Sequence, residues 1–568
     1  MPAITRPHHK IWPARLPHEL VLPQTSLWFN LEVSATRYPD KAAYRFVGRE
    51  LSFAQLHAQA LAIAAWLQAH GIERGDRVIV FMQNCPQYVI AVQAILRADA
   101  VVVPVNPMNK ADEFGHYIVD SGAHVAITTS DLAGVVAAAD AALPGGPRLR
   151  ELLATDFADA LPEDEPDPAE RPAAPVWQWL SAAHALPPKA ARWRDALAAG
   201  HTPRPHRAGP DDLAVLPYTS GTTGLPKGCM HTHRTLMHNV VGGGLWGHGS
   251  AESVSLAVVP MFHITGFVYS VLASVASGAT AVIVPRWDRE LVGRLISRHR
   301  VSHWTCIPTM IIDLFGSPNY ASFDLSSLRY VSGGGAAMPQ AVAERLQREF
   351  GITFAEGYGL TETAAPTHAN LPERAKLQCL GIPIFGTDSR IVDPDTGREL
   401  PQGETGEIVS NGPMIFKGYW GHPEATKAAF IELDGKPFFR TGDLGHMDNE
   451  GYFFITDRLK RMINASGFKV WPAEVEALLY RHPAVQEACI IAAKDTYRGE
   501  TVKAVVVLRE AARGSTSEQQ IIDWSREHMA AYKVPRIVQF VDALPKSGSG
   551  KVMWRLLQER EAQTPSEA

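Results

Sequence analysis

Short β-branched runs separated by helical stretches fill the first part of the chain, and this alternation limits what it can fold into more than any other feature. Arg77 to Phe81 reads as a strand, Tyr88 to Leu96 as a helix, and Val101 to Val105 and Val125 to Thr128 as further strands. Strands bounded by helices at this spacing predict parallel α/β packing with both sheet faces covered. From about residue 138 to residue 210 the rhythm lapses into Ala, Pro and acidic residues, including LPEDEPDPAERPAAP from Leu161 to Pro175. Such a composition buries too little surface to offset its ordering entropy, so a low-complexity surface excursion is expected there. The α/β rhythm returns at Leu213 and runs past residue 360.

After about residue 380 the texture changes to strands and turns. Pro394-Asp395, Thr396-Gly397 and the pair Gly403 and Gly406 mark hairpins. A last unit begins near Arg461, with a helix at Ala473 to Tyr480, strands at Ala488 to Ala492 and Lys503 to Leu508, and a helix at Glu518 to Ala530. The fold class expected is α/β: a large N-terminal α/β domain with a β-rich end, then a small α+β domain.

Composition removes several classes of function. With 54 Lys plus Arg against 59 Asp plus Glu, the net charge of −5 gives no electrostatic reason for nucleic acid or anionic lipid to be the main partner. Five scattered cysteines without CxxC spacing argue against a disulfide framework or a zinc site and favour a reducing compartment. The N-terminus shows no apolar signal region, and the His8-His9 pair reads as a solvated tail. The most apolar stretch, Phe267 to Pro285, is broken by Ser277, Gly278 and Thr280 and is expected to be a buried helix, a turn and a strand. A cytoplasmic protein with no membrane span is expected, with peripheral membrane contact and homodimerisation left open.

The chemistry lies in a few segments. YTSGTTGLPKG, Tyr218 to Gly228, follows the apolar run Leu213 to Leu216. Its backbone N–H groups and the hydroxyls of Thr219, Ser220 and Thr222 can wrap a polyphosphate, with Lys227 adding charge. It is not a Walker A loop, because Gly228 stands after Lys227 where Ser or Thr is required. Alone, the cluster is equally compatible with an ordinary polar loop. FAEGYGLTET, Phe354 to Thr363, places the Glu362 carboxylate after glycines, a tyrosine and a threonine. VSGGGAAMP, Val331 to Pro339, is poor enough in side chains to let a flat ring approach the backbone. FFRTGDLG, Phe438 to Gly445, sets Asp443 in a glycine-flanked turn suited to two neighbouring hydroxyls. TDRLKRMINASGFKVWPAEVE spans Thr456 to Glu476, and LPKSGSGKVMWRLL, Leu544 to Leu557, carries Lys551 on a Gly/Ser loop able to swing. His231 and His233, just past the phosphate loop, either approach a nucleotide or pack at a helix start.

In this order and spacing the segments resemble the adenylate-forming superfamily of acyl-CoA synthetases, aminoacyl-adenylating domains and beetle luciferases. The resemblance covers nearly the whole chain, from LSFAQL (Leu51 to Leu56) and VVVPVNP (Val101 to Pro107) to the C-terminal lysine loop. It implies attack of a carboxylate on the α-phosphate of ATP, giving acyl-AMP and pyrophosphate, then attack of a thiol that releases AMP. Positioning and electrostatics would dominate both steps.

By the same resemblance, Thr219, Ser220, Thr222 and Thr223, with Lys227, would line the β/γ-phosphate loop. Thr361 and Glu362 would hold the α-phosphate and Mg²⁺, with Thr219 and Glu362 on the metal side. Gly335, Ala336, Glu356, Gly357 and Tyr358 would frame the adenine, and Asp443 and Arg458 would take the ribose hydroxyls. Lys551 would bridge the substrate carboxylate and the α-phosphate. Lys460 falls at the family's hinge, which would separate an N-terminal domain, 1–459, from a mobile C-terminal domain, 461–568. Rotation there would withdraw Lys551 and bring Ser466 to Phe468 up to a pantetheine tunnel, where Gly467 leaves room. By charge alone, Lys460 and Arg461 read as a solvated linker pair.

For the acid, the informative segment is VVPMFHITGF, Val258 to Phe267. Amino-acid-activating relatives carry an aspartate in this region, whereas here His263 stands without an acidic residue. His263 resembles a catalytic residue of CoA ligases of fatty and aryl acids, and beside Met261 and Phe262 it also fits a core histidine. Phe267 falls at the aromatic gate of some long-chain ligases, and the small Ala364 and Ala365 would leave the far pocket open. The expectation is a medium- or long-chain fatty acid, with an aryl or arylalkanoic acid as the alternative. The small-molecule partners would be the carboxylic acid, ATP and CoA. CoA is the simplest acceptor, because no carrier domain follows the lysine loop; an acyl-AMP ligase loading a carrier protein is the further alternative. A kinase would make ADP instead of AMP, and a catalytically dead regulator would lack Lys551 or Glu362.

Overall fold

The computed structural model describes residues 6–146, 148–219, 225–334, 338–458, 461, 463–465, 468–470, 472–495, 499–547 and 551–563. Of these, 457–458, 464–465, 468–469, 474 and 499 are described by their backbone alone. The chain forms two compact units: Met1–Asp388 with Asn411–Phe439, and Ser389–Ser410 with Arg440–Ala568.

The first unit contains two large sheets. One has strands in the order Ala190–Arg192, Glu151–Thr155, Val125–Thr129, Arg77–Phe81, Val101–Pro104, Leu213–Val215 and His231–Thr232, parallel except for the last pair. The other runs in parallel from Ala355–Leu360 through Tyr330–Gly333, His303–Cys306, Val254–Ala257 and Thr280–Ile283 to Ala42–Phe46, with antiparallel strands at both ends. Val78, Ile79, Val80 and Phe81 are all buried, as parallel strands covered on both faces must be. Helix Pro86–Arg97 is buried on every side, which its apolar circumference allows. It shares a core with Ala43, Tyr44 and Phe46 of one sheet and Val78 and Val80 of the other. The expected α/β class and the parallel rhythm are borne out.

Residues 138–210 differ from the expected excursion. Glu151–Thr155 and Ala190–Arg192 extend the first sheet, and Leu153, Leu180 and Trp193 enter the main core. Each strand is too short to show a period against an Ala/Pro background. A buried carboxylate also ties the stretch down: Glu170 lies 2.7 Å from Arg298 on helix Arg289–His299. The expectation for Phe267 to Pro285 holds. Helical residues run from Ile264 to Ser277, Gly278 turns the chain at φ 71, and Thr280–Ile283 is a buried strand. Phe267–Ala273 is a π-helix, a rare element that recurs at functional sites.

The second unit combines the turn-rich stretch after residue 388 with the C-terminal α+β fold. Arg440 pairs with Glu407 at 2.5 Å, and Thr441 Oγ1 donates to the Ile408 carbonyl at 2.7 Å. The expected boundary at 459–461 therefore falls inside this compact unit, and Lys460 itself lies outside the described residues. Strands Val485–Asp495 and Gly499–Leu508 pair along their length beneath helices Pro472–Leu479 and Glu518–His528. Among the described residues, no helix is long and apolar enough to cross a membrane.

Candidate active site

The loop expected to take polyphosphate is described at its two feet. Thr219 N–H donates to the Lys227 carbonyl at 3.0 Å, and Tyr218 bridges Gly228. Gly228 is required by packing, since a Cβ there would come to 2.8 Å from Leu216 Cγ. The loop's Ser220, Thr222 and Thr223 lie outside the described residues. Beyond Gly228 the chain is stitched to residues 417–420: Trp420 N–H donates to Gly228 O at 2.8 Å, Met230 N–H to Gly418 O at 3.0 Å, and Lys417 N–H to Met230 O at 2.9 Å.

This stitching brings Tyr419 to Glu362. The Tyr419 hydroxyl donates to Glu362 Oε1 at 2.8 Å, and the Lys227 ammonium sits 5.5 Å from the centre of the Tyr419 ring. Burial and the neighbouring Glu362 charge push the Tyr419 phenol well above its ordinary range. Thr361, Glu362 and Thr363 form a single 3₁₀ turn. His231 Nε2–H donates to the Thr361 carbonyl at 2.7 Å, and burial lowers that imidazole to about 4, so it is neutral. His233 instead accepts the Leu27 N–H on Nδ1 at 3.1 Å. Of the two histidines, one buttresses the site and the other packs.

The turn after Glu362 is strained. Ala364 and Ala365 have φ of 51 and 78, a region that costs a residue with a Cβ of the order of 1–3 kcal/mol. Asn239, buried on helix His233–Trp246, holds it: its Nδ2 lies 2.7 Å from Ala364 O and 3.2 Å from both Thr363 O and Pro366 O. Thr363 Oγ1 adds a 2.6 Å bond to Ala365 O. No motif pointed to Asn239 or to Tyr419.

The glycines expected to admit a flat ring serve the protein's own backbone first. A Cβ at Gly333 would lie 1.8 Å from Cys306 O, and one at Gly334 would lie 2.2 Å from Gly357 O. Gly335 and Ala336 lie outside the described residues. Glu356 and Tyr358 are buried on strand Ala355–Leu360 with Gly357 between them. Burial raises the Glu356 carboxyl to about 8, against the pull of backbone bonds from Cys379 and Met338.

His263 caps the short helix Ile264–Gly266, its Nδ1 accepting the Thr265 N–H at 3.3 Å. The loop before it hangs on buried Asn84, which the sequence reading missed. Asn84 Oδ1 accepts the Met261 N–H at 2.8 Å, while its Nδ2 reaches Val259 O at 3.2 Å and Val284 O at 3.3 Å. Phe267 is fully buried in the main core.

In the second unit, Asp443 lies in strand Lys436–Met447 and not in the expected turn. Gly442 takes φ 69 within the strand, so the glycine makes a local irregularity that the ladder absorbs. Asp443 is fully buried, its N–H donates to Thr441 Oγ1 at 3.1 Å, and Arg458 stands opposite it across the antiparallel pair. The two residues expected at the ribose are thus neighbours. Lys551 is exposed at the end of a loop whose feet are tied, Ser547 N–H donating to Lys551 O at 2.7 Å and Lys551 N–H to Ser547 Oγ at 3.2 Å. Gly467 lies outside the described residues.

Among the described residues no three His, Cys, Asp or Glu side chains come together to hold a metal. The buried Glu362 carboxylate, near the loop expected to take polyphosphate, is a fitting donor for Mg²⁺, which takes one or two carboxylates and completes its shell with phosphate oxygens and water.

Comparison with known proteins finds relatives over nearly the whole chain. A family model described as AMP-binding enzyme matches residues 31–420, and one described as AMP-binding enzyme C-terminal domain matches residues 474–551. The chain is 35% identical to the long-chain-fatty-acid–CoA ligase of Bacillus subtilis (strain 168), over 97% of each chain. It is 36% identical to a feruloyl-CoA synthase of Amycolatopsis sp, over 91% of this chain and 95% of that one. Its structure is similar to that of ATP-bound MatB from Rhodopseudomonas palustris, with 28% identity, a TM-score of 0.82, and coverage of 95% of this chain and 99% of that one.

Proposed function

The chain belongs to the adenylate-forming AMP-binding superfamily, in its acyl-CoA synthetase and fatty-acid–CoA ligase branch, and is an AMP-forming acid–thiol ligase; within that chemistry, we propose that its acid is aryl or arylalkanoic. The acid would be activated by ATP as acyl-AMP and passed to CoA.

The observation that supports this choice lies along helix His233–Trp246. Asn239 grips the Glu362 turn, and further along the helix two tyrosines press into glycine notches. Tyr269 Cε1 stands 2.5 Å from where a Cβ of Gly243 would be, and Tyr330 Cε1 stands 2.9 Å from that of Gly247. At a rise of 1.5 Å per residue, the Gly243 notch lies about 6 Å from Asn239, and the Gly247 notch, at the residue that caps the helix, lies further on. Burial raises both phenols above their ordinary range. In this reading the two phenols face the acyl group, which suits an aryl acid and opposes a long alkyl chain, which gains only by burying methylenes. Burial of Phe267 in the core also speaks against its use as a gate for such a chain. Likeness to a feruloyl-CoA synthase supports the aryl choice, and likeness to a long-chain ligase supports the fatty-acid alternative.

In this reading Lys227 and the loop above it take the β- and γ-phosphates, and Thr361 and Glu362 face the α-phosphate. Glu362 and Thr219 would hold Mg²⁺, which when bound would neutralise phosphate charge. Glu356, Gly357 and Tyr358 would frame the adenine, a role shared with Gly335 and Ala336, which lie outside the described residues. Asp443 and Arg458 take the ribose, and Lys551 supplies the ammonium that draws carboxylate and phosphate together. His263, oriented by its cap bond to Thr265 and by the Asn84-held loop, closes the acyl side. Lys460 would act as hinge, and Gly467 would admit pantetheine.

The test is AMP and pyrophosphate formation with ATP, Mg²⁺ and CoA across benzoate, phenylacetate, ferulate, octanoate and palmitate. AMP that requires both acid and CoA, with an aryl acid preferred at least tenfold in kcat/KM, is the expected result. Gly243→Ala, which must displace Tyr269, should then reduce that preference. Palmitate preferred over every aryl acid would return the fatty-acid reading, and ADP in place of AMP would overturn adenylation itself.

A further inference from the structure

Three groups of opposite character meet where the phosphate loop ends: the Lys227 ammonium, the Tyr419 ring and the Glu362 carboxylate. Tyr419 touches both charges. Its hydroxyl donates to Glu362 Oε1 at 2.8 Å, and its ring face lies under Lys227 Nζ at 5.5 Å. A hydrogen bond to a carboxylate is directional, and a cation over an aromatic face is held by the ring quadrupole. One side chain therefore fixes both partners.

The backbone is built to aim that side chain. Gly418 takes φ +127, which favours glycine, and a Cβ there would strike Thr426 Cγ2 at 2.5 Å. Tyr419 N–H donates to Thr426 Oγ1 at 2.9 Å, Tyr419 bridges Cys229, and Phe416 packs edge-on against its ring at 4.9 Å. Phe416 N–H in turn donates to the Glu362 carbonyl at 2.8 Å, so the same short segment holds Glu362 by its main chain and its side chain. Tyr419 is only half-buried, which places it at the rim of the site and not in the core.

We propose that Tyr419 is a positioning residue for adenylation. Its hydroxyl binds one carboxylate oxygen of Glu362 and so fixes the orientation of a carboxylate that would serve the cation accompanying ATP, while its ring steadies Lys227 at the foot of the phosphate loop. The proposal rests on the reading of Glu362 as the cation-side carboxylate.

The test uses the full chain with Mn²⁺ as the probe, titrated by electron paramagnetic resonance in the presence of a non-hydrolysable ATP analogue. No acid or CoA is present, so the outcome does not depend on the choice of substrate. Tyr419→Phe keeps the ring over Lys227 and removes the hydroxyl. It should weaken Mn²⁺ binding about tenfold, the low end for a hydrogen bond to a charged group, and should raise the Mg²⁺ needed for half-maximal AMP formation, with the rate recovering at high Mg²⁺. In a Glu362→Gln background the same change should have little further effect, because Tyr419 acts through Glu362. Unchanged Mn²⁺ affinity in Tyr419→Phe, at an unchanged melting temperature, would overturn the proposal. Equal effects with and without Glu362 would also overturn it, since they would mark a merely structural role. Failure of the unaltered protein to make AMP from any acid would sink the ligase reading, and the Mn²⁺ titration would still decide Tyr419.

Discussion

Asn239 Nδ2 stands 2.7 Å from the carbonyl oxygen of Ala364, 125 positions away in the chain. That bond, with the two at 3.2 Å to Thr363 and Pro366, keeps two alanines in a left-handed conformation with only Thr363 between them and Glu362. The turn that follows the carboxylate owes its place to a neutral amide on helix His233–Trp246.

Removing the amide should therefore be costly. Asn239→Ala leaves buried carbonyls without their donor, and we expect a loss of about 2–3 kcal/mol in unfolding free energy, read by urea denaturation. Ala364→Gly in that background should recover part of the loss, because glycine accepts the left-handed conformation without restraint. No recovery would mean that the amide stabilises something other than the turn.

Glu356 makes stability depend on pH. Its carboxyl is raised to about 8 from 4.5 by burial. Below 4.5 both folded and unfolded chains hold the proton. Between 4.5 and 8 the unfolded chain releases it while the folded chain keeps it, so stability falls through that window and levels off above 8. The contribution is of the order of 5 kcal/mol. Glu356→Gln should flatten the fall between pH 5 and pH 8.5 in the urea midpoint, and an equally steep fall in the variant would place the cause elsewhere.

Lys551 should separate the two half-reactions. Replacing the exposed ammonium in Lys551→Ala is expected to slow acyl-AMP formation by roughly 10²–10³-fold, the scale for removing one electrostatic stabiliser of a developing charge. Thioester formation from supplied acyl-AMP should be nearly unchanged. Equal slowing of both steps, measured by rapid quench, would deny Lys551 a role confined to adenylation.

Much of this protein was legible in its chain because it is local. Continuous apolar runs such as Arg77–Phe81 announce strands covered on both faces, and a glycine such as Gly228 marks a close packing contact wherever the chain is read. Hydroxyls, glycines and a lysine in one loop, and a carboxylate after a glycine-rich strand, state their chemistry without a fold. The brief strands at 151–155 and 190–192 escaped notice because a few residues cannot establish a period against their flanks.

What only the tertiary structure decided is which distant groups hold the reacting ones. Tyr419 meets Glu362 across 57 positions, His231 meets Thr361 across 130, and Asn84 meets Met261 across 177. Each is a single polar side chain with no periodicity, and a hydrogen bond depends on a few tenths of an ångström between segments whose separation the chain order does not encode. Residue types set which chemistry is available, and the packing of two sheets around a shared core set which carboxylate is aimed, by what, and in which direction.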